Sequence, residues 1–361
     1  MSQKRIAALR KQFMKENLDG MVVTRLDHVF YLCGYTGSNG LLVVTNKTAT
    51  FLTDFRYTDQ AKKEVRGAKV HVMSKGDLVA CLPEFTHLMK KNLKLGVSGE
   101  HLSVSGQAKL ASALPNSLIV SADSVLAELG WVKDAHEIKQ IAKAAQIGDV
   151  AWGRVLGLLK PGVREREIAA ELEYQMKMLG STKPAFDSIV ASGYRSAMPH
   201  GEASDKKIAK GDFVTFDFGA VVNRYVSDMT RTVVVGKATA RQKKIYNIVL
   251  KAQKAGVAKI KAGVKAQAID EACRKIITRA GYGKEFGHGT GHGIGVYFDP
   301  IHSGPRLSTI SDDKLKVNNV ITVEPGIYIS GWGGVRIEDD VVVTRTGGRV
   351  LTESPKYLLE L

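Results

Sequence analysis

The sequence predicts a mixed α/β (α+β) protein of two domains, residues 1–131 and 132–361. Three observations predict this. Short β-rich runs alternate with helical runs up to about residue 131, which is typical of an α/β domain. A helix-capping pattern then starts a new segment at Asp134, and a phrase repeats within that segment at a constant offset. With 361 residues, the chain is long enough for two domains and a sizeable core.

In the first domain, four short runs are predicted to form strands. They read GMVVT, GLLVVT, ATFLTDF and KVHVM. Residues Arg5–Asn17 and Tyr57–Val65 are predicted helices. Ile6, Leu9 and Phe13 recur at helical spacing, so we expect the first helix to pack against a core. The same basic segment also resembles a transit peptide, and we prefer the packed helix.

The second domain is predicted to contain two copies of one unit. In DAHE, Asp134 is a predicted N-cap and Glu137 stands at the third helical position, which is a capping-box pattern. The phrase KPGVREREI at 160–168 matches KAGVKAQAI at 261–269, an offset of 101 residues. That offset also relates Gly180 to Gly281, each at a predicted helix end. β-rich runs follow both helical units, so we predict a helix–helix–hairpin repeat, a pseudo-two-fold domain and a site between its copies.

Composition and charge exclude several classes of function. The net charge is +16, and 17 Lys and Arg face 11 Asp and Glu up to residue 131, against 35 and 25 thereafter. Because this excess follows length and forms no basic tail, we expect no nucleic-acid partner. No apolar run approaches the roughly 18 residues of a membrane span, so we expect no membrane partner. Three widely spaced cysteines predict neither a thiolate zinc site nor disulfides, which fits a reducing, cytoplasmic location.

Two acids lie within the apolar β-rich runs of the first copy. Asp217 and Asp228 flank VVNRY, a predicted tight turn. An odd separation across a two-residue loop places both side chains on one face of a hairpin. With the turn centred on Val222-Asn223, they become direct cross-strand neighbours. Like charges so placed repel each other, so a cationic group must compensate.

The second copy repeats this arrangement with Glu324 and Glu338. Their midpoint is Gly331 in ISGWGGV, and a three-residue loop centred there puts both carboxylates on one face. One alternative is that the acids form a surface ladder, and another is that Arg231 and Arg336 neutralise them. Four carboxylates with one imidazole instead make an oxygen-rich site that can bridge two divalent ions about 3.5–4 Å apart. Such a pair activates water for hydrolysis.

A histidine for this site is expected in GHGTGHGIG, at 287–295. His288 and His292 are four residues apart, the spacing of metal ligands on one helix face. Five of the nine residues are glycine, however, and a helix interior tolerates glycine poorly. We therefore expect an extended backbone here.

These motifs resemble the prolidase and aminopeptidase P group of the "pita-bread" metallopeptidases nearly end to end. FYLCGYTGSNG and LTDFRYTDQA resemble the creatinase/prolidase N-terminal domain, and the family's five ligand motifs follow in order as FDFGA, SDMTRT, GHGTGHGIG, TVEPGIY and RIEDDVVVT. The resemblance implies a creatinase/prolidase-like domain followed by a pseudo-two-fold pita-bread catalytic domain. It also implies two divalent ions, with Mn favoured over Co or Zn. Their implied ligands are Asp217, Asp228, His292, Glu324 and Glu338.

The resemblance also implies catalytic roles for four residues. Glu324 would shuttle the proton, and His200 in MPHGEASD would contact the reacting carbonyl group. A second family histidine is expected seven residues after His292, where Asp299 stands. We favour His302 over Asp299 in this role, because an insertion of three residues restores the spacing to PRL. Arg336 would orient ligands or substrate, and His288 is expected to be structural.

The function favoured from the sequence is an Xaa-Pro aminopeptidase acting on peptides with proline in second position. The alternative is an Xaa-Pro dipeptidase (prolidase), which shares the same ligands. A distant alternative is a non-catalytic peptide- or nucleic-acid-binding relative of the fold. Family resemblance further implies a homodimer, in which Tyr57 could reach the partner's cleft.

Overall fold

The computed structural model describes residues 1–74, 76–296 and 303–361. These residues form two compact units, Met1–Gly130 and Trp131–Leu361. Helices and strands are present in both units, which confirms the predicted mixed α/β class. Across the described ranges, we find no helix with the length and apolar content needed to cross a membrane.

The first unit is built around one six-stranded mixed sheet. Its strands are β1 (Gly20–Val23), β2 (Leu41–Thr45), β3 (Ala49–Asp54), β4 (Lys69–Met73), β5 (Leu93–Val97) and β6 (Ser117–Ser121). Its helices are α1 (Ser2–Glu16), α2 (Leu26–Cys33), α3 (Thr58–Glu64), α4 (Val104–Ala113) and α5 (Asp123–Trp131). The strand order is β4-β3-β2-β1-β5-β6, with β1–β2 and β2–β3 antiparallel and the other pairs parallel. The four predicted strands are therefore confirmed as β1 to β4.

The first helix packs into the unit as its spacing predicts. Ile6, Leu9 and Phe13 are all buried on one face of α1. The helix ends at Glu16, and Asn17 caps it with a left-handed backbone (φ 52°). The prediction that the first helix packs against a core is therefore confirmed.

The second unit contains the two predicted copies of a helix–helix–hairpin element. The first copy comprises α6 (Ala135–Val155), α7 (Glu165–Met178), β7 (Ile189–Ser192), β8 (Phe213–Phe218), β9 (Val221–Val222), β10 (Tyr225–Val226) and β11 (Met229–Val234). The second comprises α8 (Ala240–Lys259), α9 (Ala266–Arg279), β12 (Val320–Val323), β13 (Gly326–Ile329), β14 (Gly333–Arg336), β15 (Asp339–Val343) and β16 (Gly348–Val350). Each copy has its own cluster of buried apolar side chains.

Helix boundaries confirm the repeat and the capping box. Helices α7 and α9 begin at residues 165 and 266 and end at residues 178 and 279, so both ends differ by 101 residues. Gly180 and Gly281 follow them with positive φ values of 106° and 91°. At the start of α6, the Asp134 side chain accepts from the Glu137 backbone N–H, and the Glu137 side chain accepts from that of Asp134.

The first hairpin turns one residue later than the sequence predicts. Val222 pairs with Tyr225, so the turn residues are Asn223 and Arg224, with φ values of 48° and 69°. A turn on Val222-Asn223 would force a β-branched residue to positive φ, which is sterically costly. The prediction that Asp217 directly faces Asp228 is therefore wrong, because Asp217 pairs with Thr230. Asp228 lies two residues before Thr230 and is the diagonal neighbour of Asp217.

The second hairpin has the predicted register. Ile329 pairs with Gly333 around a three-residue loop centred on Gly331. Strands β12 and β15 continue in the same register, with Val323 opposite Asp339. Glu324 follows Val323, and Glu338 precedes Asp339. The two acids therefore lie opposite each other between the β12–β15 pairing and the β13–β14 pairing of the same hairpin. The predicted cross-strand placement of these two acids is confirmed.

Candidate metal centre

A cleft of about 420 Å³ in the second unit collects acidic and histidine side chains from both copies. Its lining includes all five residues that the family resemblance assigns to metal binding: Asp217, Asp228, His292, Glu324 and Glu338. His200, His288 and Arg336 also line it. His302 and Asp299, the two candidates for the second catalytic histidine position, lie outside the described residues.

Three side chains that line this cleft are close enough to share one ion. Asp228, His292 and Glu338 each offer a ligand atom, and these atoms all lie within 4.8 Å of one another. The Nε2 atom of His292 lies 3.5 Å from Asp228 Oδ2 and 3.5 Å from Glu324 Oε1. One imidazole and several carboxylate oxygens form a donor set suited to Mn, Co or Zn.

Hydrogen bonding leaves part of this donor set without a partner. Asp217 Oδ1, Asp228 Oδ1 and Glu338 Oε1 are buried, and among the described residues no group donates a hydrogen bond to them. Buried polar atoms almost always have a partner in folded proteins, because a carboxylate oxygen removed from water without one is costly. Three such oxygens around one cleft fit the coordination of divalent cations.

The electrostatics of the cleft lead to the same conclusion. Burial raises the pKa of Asp228 well above its usual value, and the carboxylates of Glu338 and Asp217 raise it further. Burial also raises the pKa of Glu338, with Glu324 and Asp217 adding to the effect. For Asp217 burial raises the pKa more than Arg336 lowers it. The cluster therefore holds more negative charge than the surrounding protein compensates.

Arg336 compensates part of that charge and connects several members of the site. Its guanidinium donates to Asp217 Oδ2 through Nη2, to Thr230 Oγ1 through Nε (3.0 Å) and to the Tyr328 hydroxyl through Nη1 (2.8 Å). Thr230 in turn donates to Glu338 Oε2 at 2.6 Å. Arg336 is thus bound to one carboxylate directly and to a second through a hydroxyl group.

The other arginine considered from the sequence does not neutralise these acids. Arg231 is buried and pairs with Asp339, and it also donates to the backbone carbonyls of Thr230, Glu338 and Ser354. The alternative in which both arginines neutralise the four acids is therefore wrong for Arg231. The surface-ladder alternative is also wrong, because Asp228 and Glu338 are buried.

Both ring nitrogens of His288 contact protein groups outside the five proposed ligands. Its Nε2 atom lies 2.9 Å from the Tyr328 hydroxyl and its Nδ1 atom 2.7 Å from the Gly289 carbonyl oxygen. Burial raises the pKa of Tyr328 to about 12, so this hydroxyl keeps its proton and can donate to Nε2. With Nδ1 donating to Gly289, neither nitrogen is left for a metal ion.

His292 lies on an extended segment, as the glycine content predicts. Its backbone N–H donates to Thr322 Oγ1 (3.0 Å), and its carbonyl accepts from the Thr322 N–H (2.8 Å). Gly291 and Gly293 flank it and form isolated bridges to Leu307 and Ile321. A Cβ atom on Gly291 would lie 2.1 Å from the Thr322 carbonyl oxygen, so only glycine allows this approach.

Several residues of the site were not identified from the sequence. Thr230 lies within the SDMTRT motif, but hydroxyl groups in strands are common and its partners depend on the fold. Asp340 accepts a hydrogen bond from the Asp228 N–H at 3.0 Å, and it follows Glu338 by two residues. Arg306, in the SGPRLS phrase, lines the cleft with an exposed side chain. Position in a quoted motif was the one available signal for all three.

Comparison with known proteins gives matches over both units. Residues 5–129 match the model of the creatinase/prolidase N-terminal domain, and residues 139–345 match that of metallopeptidase family M24. An Xaa-Pro dipeptidase of Pyrococcus horikoshii is 39% identical, over 96% of this chain and 97% of its own length.

Solved structures resemble the whole chain. The Xaa-Pro dipeptidase from Bacillus anthracis has a TM-score of 0.95 and 42% identity, covering 100% of both chains. An X-Pro aminopeptidase from Thermotoga maritima has a TM-score of 0.87 and 37% identity, covering 96% of this chain and 98% of its own. Relatives with either specificity therefore share this architecture.

Proposed function

The chain belongs to metallopeptidase family M24, with a creatinase/prolidase N-terminal domain, and we propose that it is an Xaa-Pro dipeptidase (prolidase). The observation that supports this best is the convergence of four carboxylates and His292 on one cleft, in a chain whose curated relatives include Xaa-Pro dipeptidases. We assign residues 1–131 to the N-terminal domain and 132–361 to the pita-bread catalytic domain.

This proposal departs from the function favoured by the sequence. An Xaa-Pro aminopeptidase is not confirmed. The comparisons support the dipeptidase alternative better, because several similar relatives with a named activity are Xaa-Pro dipeptidases or prolidases. The aminopeptidase is the second candidate function, because the X-Pro aminopeptidase from Thermotoga maritima is also similar to this chain. A non-catalytic role is disfavoured, since every ligand position holds a side chain that can bind metal.

Five side chains are proposed to hold two divalent ions: Asp217, Asp228, His292, Glu324 and Glu338. Bound ions would polarise the scissile carbonyl group and activate the attacking water. Manganese is our proposal for the native metal, with Co or Zn as alternatives. The three buried carboxylate oxygens without donors are the observation that supports this assignment.

Side chains of the protein then transfer the proton and stabilise the negative charge that develops during the reaction. Glu324 takes a proton from the attacking water and delivers it to the proline nitrogen as the carbon–nitrogen bond breaks. His200, on the exposed wall of the cleft, donates a hydrogen bond to the carbonyl oxygen as negative charge develops there. Arg336 acts as a positioning residue, because its guanidinium holds Asp217 and Thr230. The equivalent role of His302 remains a prediction.

Arg306 offers a physical basis for preferring dipeptides. Arg306 lines the cleft, its side chain is exposed and, among the described residues, its guanidinium forms no hydrogen bond or ion pair. In an Xaa-Pro dipeptide the proline carries a free carboxylate, whereas in a longer peptide the same position is a neutral amide. A guanidinium binds a carboxylate through two parallel hydrogen bonds, so Arg306 would favour the shorter substrate.

The test compares Leu-Pro with Leu-Pro-Gly on protein stripped of metal and reloaded with Mn²⁺. We expect no cleavage without metal, and kcat/KM for the dipeptide at least about 10-fold higher, since a hydrogen bond to a charged group contributes about 1.5–3 kcal/mol. Arg306→Ala should remove this preference by raising KM for Leu-Pro, and Arg306→Lys should keep part of it. A preference for Leu-Pro-Gly would instead establish the aminopeptidase.

Homodimerisation and a cytoplasmic location also remain proposals, supported by family resemblance and by the three buried free cysteines, respectively. Sedimentation of the purified protein tests the first of these.

A further inference from the structure

Helix α9 carries a buried acid–arginine pair that the proposed mechanism does not use. The Asp270 side chain is completely buried, and Arg274 lies one turn later on the same helix. Nε of Arg274 donates to Asp270 Oδ2 at 2.8 Å, and Nη2 donates to Oδ1 at 2.9 Å. A two-pronged ion pair of this kind has a fixed geometry and can orient whatever else it contacts.

Both members of the pair contact the glycine-rich segment that leads to His292. Asp270 Oδ1 accepts from the Thr290 N–H (3.1 Å) and from the Thr290 hydroxyl (2.9 Å). Arg274 donates to the carbonyl oxygens of Phe286 and His288, both at 2.8 Å, and its guanidinium stacks over the Phe286 ring. One helical turn therefore makes four hydrogen bonds to residues 286–290.

The backbone of residues 287–291 needs hydrogen bonds from other elements to hold one conformation, because its own sequence restricts the conformation little. Three of the five residues from Gly287 to Gly291 are glycine, which lose more conformational freedom on folding than other residues. No strand of the described chain includes them. Thr290 connects this segment with the metal site, because its backbone carbonyl accepts a hydrogen bond from the Glu324 N–H at 2.8 Å.

The pair is absent from the equivalent helix positions of the first copy, whose buried Glu165 on α7 pairs instead with Arg195. Subtracting the offset of 101 from positions 270 and 274 gives positions 169 and 173, which are Ala169 and Glu173. If packing of the two helices against the hairpin required the pair, the first copy would need it as well. The pair is instead found in the copy that supplies the histidine.

We propose that Asp270 and Arg274 are positioning residues that set the metal affinity of the site by fixing Thr290, and through it His292 and Glu324. This inference rests on the proposed function, in which His292 and Glu324 are ligands. Second-sphere hydrogen bonds of this type orient ligands, and their loss commonly costs about 10–100-fold in metal affinity.

The experiment measures Mn²⁺ binding to metal-free protein by titration calorimetry, together with the Tm of the metal-free form. Asp270→Asn and Arg274→Lys should each weaken Mn²⁺ binding by about 10–100-fold. Asparagine cannot accept both donors of Arg274, and a lysine cannot reach the same set of acceptors. Ile277→Ala is the matched control: it creates a cavity on the buried face of the same helix and should lower Tm without changing Mn²⁺ affinity.

His292→Ala separates failure of this inference from failure of the proposed function. If His292→Ala loses affinity while Asp270→Asn and Arg274→Lys bind Mn²⁺ as tightly as the unsubstituted protein, the positioning role is wrong. If His292→Ala also binds Mn²⁺ with undiminished affinity, the proposed ligand set fails, and this inference fails with it. Because Arg274→Lys preserves charge and most of the side chain, it remains informative should Asp270→Asn not fold.

Discussion

Thr230 shows how one hydroxyl group can connect the two copies at the metal centre. It lies on β11 in the first copy, accepts from Arg336 Nε and donates to Glu338 Oε2, both of which belong to the second copy. Its own backbone carbonyl accepts from the Glu338 N–H at 3.1 Å. A threonine in this position therefore orients Glu338 through both its side chain and its backbone.

Thr230→Val should weaken the site while preserving the shape of the side chain. Valine leaves Arg336 Nε and Glu338 Oε2 buried without their shared partner, which costs about 1–3 kcal/mol of stability. We expect a lower Tm of the metal-loaded protein and about 10–100-fold weaker Mn²⁺ binding. Thr230→Ser keeps the hydroxyl group and is the control. Equal Mn²⁺ affinity in the valine and serine variants would contradict this role.

At the residue scale, the sequence predicts on which face of a hairpin a side chain lies, but it does not predict the hydrogen-bond partners of that side chain. The cross-strand placement of Glu324 and Glu338 follows from a period of two and a symmetric loop, which are local properties of the sequence. Thr230 and Asp270 acquire their roles from hydrogen bonds to residues at least 20 positions away in the chain, and Arg306 acquires its proposed role from its place on the cleft. No local pattern distinguishes them from ordinary surface or strand residues.

At the scale of elements, the glycine-rich segment around His292 depends on close backbone approach. The Gly291 Cα approaches the Thr322 carbonyl oxygen so closely that an added Cβ would lie 2.1 Å away, whereas an added Cβ on Gly287 would meet nothing within 4 Å. The two glycines are four residues apart in one segment. They therefore form a matched pair for testing whether backbone approach positions His292.

Gly291→Ala should displace the segment from β12 and reduce both stability and activity. Overpacking of a well-packed region costs about 1–3 kcal/mol, and the displacement would move His292 from the acids. Gly287→Ala should leave the Tm almost unchanged, because the added methyl group has open space. Thermal denaturation of both metal-free variants, with Leu-Pro hydrolysis after Mn²⁺ loading, provides the measurement. Similar losses in both variants would show that flexibility, and not close approach, matters.

Most elements could be predicted, and the exceptions have local causes. The repeat offset located both ends of α7 and α9, because the matching phrases include the residues that start and stop each helix. The first hairpin turn was placed one residue too early. Its position depends on which residues tolerate positive φ, and Asn223 does so more readily than Val222.

At the scale of the whole molecule, the cleft concentrates negative charge in a chain whose net charge is +16. Among the acids of the cleft, Asp228 has four other carboxylates close enough to raise its pKa. The groups that raise its pKa, after burial, are Glu338, Asp217, Asp340 and Glu324. A folded-state pKa raised above the ordinary value of 3.8 means that the metal-free native protein binds more protons than the unfolded chain. Its free energy of unfolding therefore falls as pH rises above that value.

Asp228→Asn should consequently stabilise the metal-free protein at pH 8. We expect its Tm to exceed that of the metal-free unsubstituted protein by a few degrees. The advantage should shrink as pH falls towards 3.8, because the raised pKa of Asp228 lets it take up a proton in the native state before that pH is reached. Adding Mn²⁺ should reverse the order, since binding stabilises only the protein that retains its ligand. Scanning calorimetry across this pH range is the measurement. A lower Tm for the variant at pH 8 without metal would contradict the electrostatic argument.

The choice between dipeptidase and aminopeptidase is the part of the function that the motifs do not determine, and the aminopeptidase favoured from the sequence is not confirmed. Both activities need the same ligands, so the motifs that identify the family carry no information about peptide length. The difference depends on what meets the substrate beyond proline. We propose Arg306 for this role because it lines the cleft, and that position depends on the fold and not on a local pattern.

The division of ligands between the two copies has a consequence for the assembly of the molecule. Asp217 and Asp228 precede the connection between Val234 and Ala240, and the remaining three proposed ligands follow it. A polypeptide severed in that connection would yield two fragments, neither of which could coordinate a cation pair alone. Divalent ions would then strengthen the association of the two fragments, because their coordination would add to hydrogen bonds such as that from the Glu338 N–H to the Thr230 carbonyl.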